Sequence, residues 1–129
     1  MYAMKFNDST PIYLQIVEKI KADIVAGKLK GGDKLPSVRE IAENFKVNPN
    51  TVQRVYMELE REGVAYPQRG IGTFITEGEE LVEKLRSTQA YKYTRRYVGE
   101  MKELGMGKKE VIENVESVLE EENNDHAEG

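Results

Sequence analysis

The stretch NPNTVQRVYM, residues 48–57, gathers Asn48, Asn50, Thr51, Gln53 and Arg54 on a short length of chain. Amide and guanidinium groups can pair bidentately with base edges in a DNA major groove, and a hydroxyl can bond a base or a phosphate. The apolar residues Val52, Val55, Tyr56 and Leu59 recur at helical spacing, so the polar residues occupy the opposite face of one helix. Acidic residues, which would repel phosphate, appear only later, at Glu58, Glu60 and Glu62. The competing reading is a solvated face on which Arg54 pairs with Glu58 at i, i+4.

Other residues carry chemistry of the same kind. Arg39 stands in the first turn of a short preceding helix, where a guanidinium and backbone amides can hold a phosphate together. Its alternative is a surface pair with Glu43. Arg69 stands beside Gly70 in a turn, placed to enter a minor groove, whose narrow negative potential favours arginine; the alternative is a solvated turn residue. Lys34, Ser37 and Gln68 are further candidates for contact with the DNA backbone.

The elements that must position these groups follow from pattern. Residues 11–26, PIYLQIVEKIKADIVA, place Tyr13, Ile16, Val17, Ile20 and Ile24 on one helical stripe, with Thr10 as cap, Pro11 as first helical residue and Gly27 as stop. KLKGGDKLPS reads as a loop with a turn at Gly31-Gly32-Asp33. A second helix, about Ser37 to Phe45, buries Val38, Ile41, Ala42 and Phe45, and Ser37 with Glu40 forms a capping box. After the connector KVN, Asn48 caps a third helix that has Pro49 in its first position and ends at Gly63. Two short helices on a tight turn are a helix-turn-helix. Extended runs at Val64–Pro67 and Gly72–Thr76 then flank a turn at Gln68–Gly70, in which Gly70 supplies positive φ and Gly72 permits a close approach or a bulge. The expected fold is mainly α with a small β-hairpin: a winged helix-turn-helix over residues 1–78 and a helical dimerisation region over 79–129.

In the second region a polar helix from Glu79 to Met106 carries Leu81, Val82, Leu85, Tyr97, Val98, Met101 and Leu104, and GMG at 105–107 breaks it. A last helix, about Lys108 to Glu122, carries Val111, Ile112, Val115, Val118 and Leu119 at helical spacing. A lone helical hairpin cannot bury two such faces, so Leu85, Tyr97, Val98, Met101, Leu104 and the last helix's stripe are expected to pack against a second copy. EEENNDHAEG reads as an acidic, disordered tail containing an inert His126. Tyr91, Tyr93, Arg95 and Arg96 resemble a ligand surface, but Tyr93 and Tyr97, four residues apart, fit helical packing or dimer contact better than a small-effector site.

The totals exclude other classes. Without cysteine there is no disulfide, thiolate metal site or thiol nucleophile, and with one histidine and no clustered ligands a catalytic centre has little to be built from. GIG at 70–72 lies in a hairpin and opens no helix, which excludes a nucleotide loop. No cofactor or metal is expected. No apolar run reaches signal-peptide or membrane-span length, so the expected location is the cytoplasm, with no membrane partner. The net charge of −4 argues against a polyanionic partner until it is divided along the chain. Residues 1–78 hold 11 Lys and Arg against 10 Asp and Glu, whereas residues 79–129 hold 8 against 13. The acidity belongs to the C-terminal region.

Taken together, LPSVREIAENFKVNPNTVQRVYMELEREGVAYPQRGIGTFI (residues 35–75) and the PIYLQI segment before it resemble the GntR family of bacterial transcription regulators, and the short helical C-terminal region resembles its YtrA-type subfamily. The resemblance implies that Arg39 contacts DNA, that Asn48, Asn50 and Thr51 open the recognition helix, and that Arg69 and Gly70 form the wing tip. Gln53 stands where some members have Arg, so their base preference does not carry over to this chain. It further implies a dimer on a palindromic operator, usually repressing, with transporter genes a frequent target in the YtrA type. The expectation is therefore a homodimeric DNA-binding repressor without catalytic activity. The rival is a winged-helix protein-interaction module that lacks specific DNA binding.

Overall fold

The computed structural model describes residues 6–128, with side chains through Asp125, so His126 lies outside the described side chains. In chain order the elements are α1 (Ile12–Val25), α2 (Val38–Phe45), α3 (Pro49–Arg61), β1 (Ala65–Gln68), β2 (Gly72–Ile75), α4 (Glu79–Glu103) and α5 (Lys108–Glu128). They fall into two compact units that divide between Ser87 and Thr88, within α4.

The periodic apolar stripes become the core of the first unit. Ile16, Val17, Ile20 and Ile24 of α1, Ile41, Ala42 and Phe45 of α2, and Val52, Val55, Tyr56 and Leu59 of α3 are buried together with Leu35, Val64, Ala65 and Ile75. Both helices of the helix-turn-helix start on a side-chain cap. Ser37 Oγ accepts from the Glu40 amide at 3.1 Å, and Asn48 Oδ1 accepts from the Asn50 amide at 2.8 Å with Pro49 first in the helix. Between them Lys46 takes a left-handed conformation at φ 57°, and the Val47 amide returns to the Ala42 carbonyl at 3.0 Å, which turns the chain tightly from α2 into α3. The Tyr56 hydroxyl donates to the Pro36 carbonyl, tying α3 to the segment that leads into α2.

The start of α1 differs from expectation. Pro11 is the N-cap rather than the first helical residue, and no side chain caps the helix. Gln15 takes over the surrounding polar groups instead: its Oε1 accepts from the Asn7 amide at 3.1 Å, and its Nε2 donates to the carbonyls of Asn7 and Thr10 at 2.9 and 2.7 Å. These bonds satisfy a glutamine that is only 6% exposed.

β1 and β2 pair antiparallel with Ala65 opposite Ile75 and Gln68 opposite Gly72. The segment expected to be only a loop adds an extended edge to this hairpin. Lys34 bridges Phe74, the Leu35 amide donates to Thr73 at 2.8 Å, and the Ile75 amide donates to Asp33 at 2.8 Å.

Leu85, expected at a dimer face, is buried in the core of the first unit, where Leu81 and Val82 are also partly covered. The first two turns of α4 thus complete the winged-helix core. In the second unit Tyr97, Val98, Met101 and Val111 are half-buried, whereas Leu104, Ile112, Val115, Val118 and Leu119 are exposed. α5 continues as helix to Glu128, beyond the expected end near Glu122, because no Gly or Pro interrupts the acidic segment.

Replacing Tyr56 by Phe removes one donor and leaves the Pro36 carbonyl without it, so stability should fall by about 1 to 2 kcal/mol. Urea denaturation should show a lower midpoint with an unchanged slope.

Candidate nucleic-acid interface

Burial of Val52, Val55, Tyr56 and Leu59 fixes the rotation of α3 about its axis, and helical spacing then sends Asn50, Gln53, Arg54, Met57 and Arg61 outward. All five are exposed; Thr51 is half-buried at the edge of the face. Asn48 also reaches the surface, but its Oδ1 is occupied as the helix cap, so it offers its amide N–H groups to a ligand. The first turn of α3 contains no acidic side chain, which leaves the positive end of the helix dipole uncompensated.

Arg39 lies on the exposed face of α2, and its Nε donates to Glu43 Oε1 at 3.3 Å, the i, i+4 pair that the spacing allows. The two side chains are 89% and 69% exposed, so the pair holds Arg39 weakly and a phosphate can displace the carboxylate. Ser37 Oγ accepts from Glu40 and keeps its own hydrogen to donate. An open groove of about 620 Å³ between α2 and the start of α3 is lined by Val38, Arg39, Ala42, Glu43, Val47 and Pro49, which brings Arg39 and the head of α3 to a common depression.

Arg54 does not pair with Glu58. Its guanidinium lies over the Tyr13 ring of α1, 4.1 Å from the centroid, and Glu58 pairs with Arg61 instead. The hydrogen bond from Arg61, reinforced by its charge, holds the Glu58 carboxyl below its ordinary value. Arg54 therefore keeps its charge unneutralised by Glu58 while an aromatic face restrains it.

At the hairpin tip the Ile71 amide donates to the Gln68 carbonyl at 2.9 Å and closes the turn. Gly70 sits at φ +79°, a conformation L side chains rarely adopt. Gln68 and Arg69 are exposed there, and Lys34 reaches the same hairpin through its bridge to Phe74.

Two exposed apolar residues escaped the sequence reading. Met57, 66% exposed, lies one helical turn beyond Gln53 on the outward face of α3, and Ile71, 59% exposed, follows Gly70 at the wing tip. The helical period was the available signal for Met57, since it falls at i+7 from Asn50. Both have the chemistry to meet a thymine methyl or a deoxyribose.

Tyr91, Tyr93, Arg95 and Arg96 form two separate stacks along α4. Arg95 lies 5.9 Å from the Tyr91 ring centroid and Arg96 lies 5.7 Å from that of Tyr93.

Residues 12–75 match the family described as bacterial regulatory proteins, gntR family. Over 116 residues the chain is 47% identical to the Bacillus subtilis protein YhcF, described as an uncharacterized HTH-type transcriptional regulator, covering 90% of this chain and 96% of that one. The chain belongs to the GntR family. A GntR family transcriptional regulator from Listeria monocytogenes superposes with a TM-score of 0.77 at 44% identity, covering 87% of this chain and 98% of that structure. The HTH-type transcriptional repressor YtrA of Bacillus subtilis is 55% identical over 71 residues, 55% of each chain, which agrees with the YtrA-type resemblance. This GntR chain is accordingly a helix-turn-helix transcriptional regulator and not an enzyme. Every residue considered above for DNA falls inside the 12–75 match.

Asn48→Ala should destabilise the chain by about 1 kcal/mol through loss of the α3 cap. Arg39→Ala should change stability by no more than about 0.5 kcal/mol, because its only described ion pair is solvated. Thermal unfolding of the two variants separates a structural residue from one available to a ligand.

Proposed function

We propose that this GntR regulator binds a palindromic operator as a homodimer and represses transcription, with transporter genes among its targets. The observation that carries the reading is the outward face of α3: Asn50, Gln53 and Arg54 stand exposed, with no carboxylate in the first turn. In this account the N-terminal half of α3 enters a major groove and reads base edges, with Thr51 at the border of the contact. Arg39, Ser37 and the amide of Asn48 hold phosphates beside it, and Lys34, Gln68, Arg69 and Gly70 meet the backbone and the adjacent minor groove. No cofactor takes part.

Dimerisation is supported by the apolar side chains of the second unit. Ile112, Val115, Val118 and Leu119 are 42–55% exposed on one stripe of α5, and Leu104 is 71% exposed. Such a stripe is costly to leave in water, and Val98, Met101, Tyr97 and Val111 can extend it into an interface with a second copy. Leu85 is not part of that interface, since the first unit's core already holds it. The two Tyr–Arg stacks of α4 remain a candidate surface for a small effector. No helix among the described residues is long and apolar enough to cross a membrane, and the cytoplasm is the location that suits a DNA-binding regulator.

The test is selection of bound duplexes from a random DNA library by the full-length protein. An inverted repeat should emerge, its half-site spacing set by the dimer. On the selected duplex, Arg39→Ala and Arg69→Ala should each weaken binding by about 1 to 3 kcal/mol. Affinity should fall steeply with added salt despite the acidic net charge, because local phosphate contacts set the slope. Enrichment of nothing at low salt, together with capture of a protein partner, would favour the interaction-module reading instead.

A further inference from the structure

Lys34 and Gly72 occupy one another's space. Lys34 stands on the extended edge that bridges to Phe74, and Gly72 is the first residue of β2, opposite Gln68. A Cβ placed on Gly72 would come within 2.7 Å of Lys34 Cε, 3.7 Å of its Cδ and 3.6 Å of its Nζ. The first distance is far inside van der Waals contact, so the alkyl chain of Lys34 lies in the volume that any other residue's side chain would fill. The obstructing atom is the far end of a flexible side chain rather than backbone. An alanine at position 72 would therefore displace Lys34 before it displaced the hairpin.

Lys34 makes no ion pair among the described residues. Its alkyl chain is packed against Gly72 at the turn end of the hairpin, and the residue stays exposed beside the turn that carries Gln68 and Arg69. A lysine on an open surface samples many rotamers, and a phosphate must remove that freedom when it binds; packing on a glycine removes part of it in advance.

We infer that Gly72 is a positioning residue for Lys34, holding its ammonium beside the wing as a preset contact to a DNA phosphate. The inference rests on the DNA-binding reading above and adds to it a division of labour within the wing: Arg69 at the tip, and Lys34 at the flank under the control of a glycine that touches no DNA itself. Gly72 also sits at φ +146°, which disfavours other residues on conformational grounds. The experiment must separate that strain from loss of the cation.

Binding to the selected duplex should be followed over a salt series for the full-length wild type, Lys34→Met, Gly72→Ala and the double variant. Lys34→Met keeps the alkyl packing and removes the charge, so the slope of log affinity against log salt should become shallower by about one unit. Gly72→Ala should lose a similar part of the slope although Lys34 is present, and the double variant should lose no more than either single one. In the free wild-type protein, nuclear Overhauser contacts should join the Lys34 ε protons to the Gly72 α protons; this check holds even if Gly72→Ala fails to fold. An unchanged slope in Lys34→Met would overturn the phosphate contact. Weaker binding by Gly72→Ala with an unchanged slope, slope losses that add in the double variant, or absence of the Lys34–Gly72 contact would overturn the positioning role. If the wild type binds no duplex at all, the DNA-binding reading itself falls, and the inference with it.

Discussion

Burial of Val52, Val55, Tyr56 and Leu59 is the constraint on which the surface chemistry depends. A helix has one rotational setting that hides those four side chains from water. Once it is taken, Asn50, Gln53, Arg54 and Met57 have nowhere to go but outward. Burying such aliphatic and aromatic side chains contributes about 1.5 to 3 kcal/mol each, well above any surface ion pair, so the core sets the face and the face does not set the core. The caps at Ser37 and Asn48 and the left-handed Lys46 then fix where α2 and α3 begin and how they turn, which places Arg39 and the head of α3 around one groove.

The chain keeps its charges apart. The winged-helix portion is nearly neutral in sum, but among the described residues its exposed cations other than Arg54 stand at element ends and turns. The acidic excess belongs to residues 79–129. Net charge therefore says little about the partner of a protein whose two units carry different surfaces. Within the first unit the cations are restrained by neighbours that do not neutralise them fully: Arg39 by an exposed carboxylate, Arg54 by an aromatic ring, Lys34 by a missing side chain.

What could be read from the sequence was what local chemistry determines. The Asn48-Pro49 start of α3, the Ser37 cap, the positive φ of Gly70 and the Arg39–Glu43 spacing each involve residues within four positions of one another. Long-range features were hidden. The Lys34 edge strand is too short to show alternation, and its pairing with Phe74 spans the whole helix-turn-helix. Gln15 replaces a helix cap by bonding backbone that precedes the helix, and Arg54 chooses a ring on α1 over a carboxylate one turn away. Leu85 belongs to an apolar pattern that continues along α4, and periodicity alone cannot say that the core of the first unit claims it while Tyr97, Val98 and Met101 are only half-buried.

The most direct test of the central claim is to titrate the full-length protein with a duplex and follow the backbone amide resonances. If α3 and the wing carry recognition, the largest shifts should fall at Ser37–Arg39, Asn48–Arg54 and Gln68–Gly72, with α5 little changed. Shifts confined to α4 and α5, or none at low salt, would contradict the assignment of this surface to DNA.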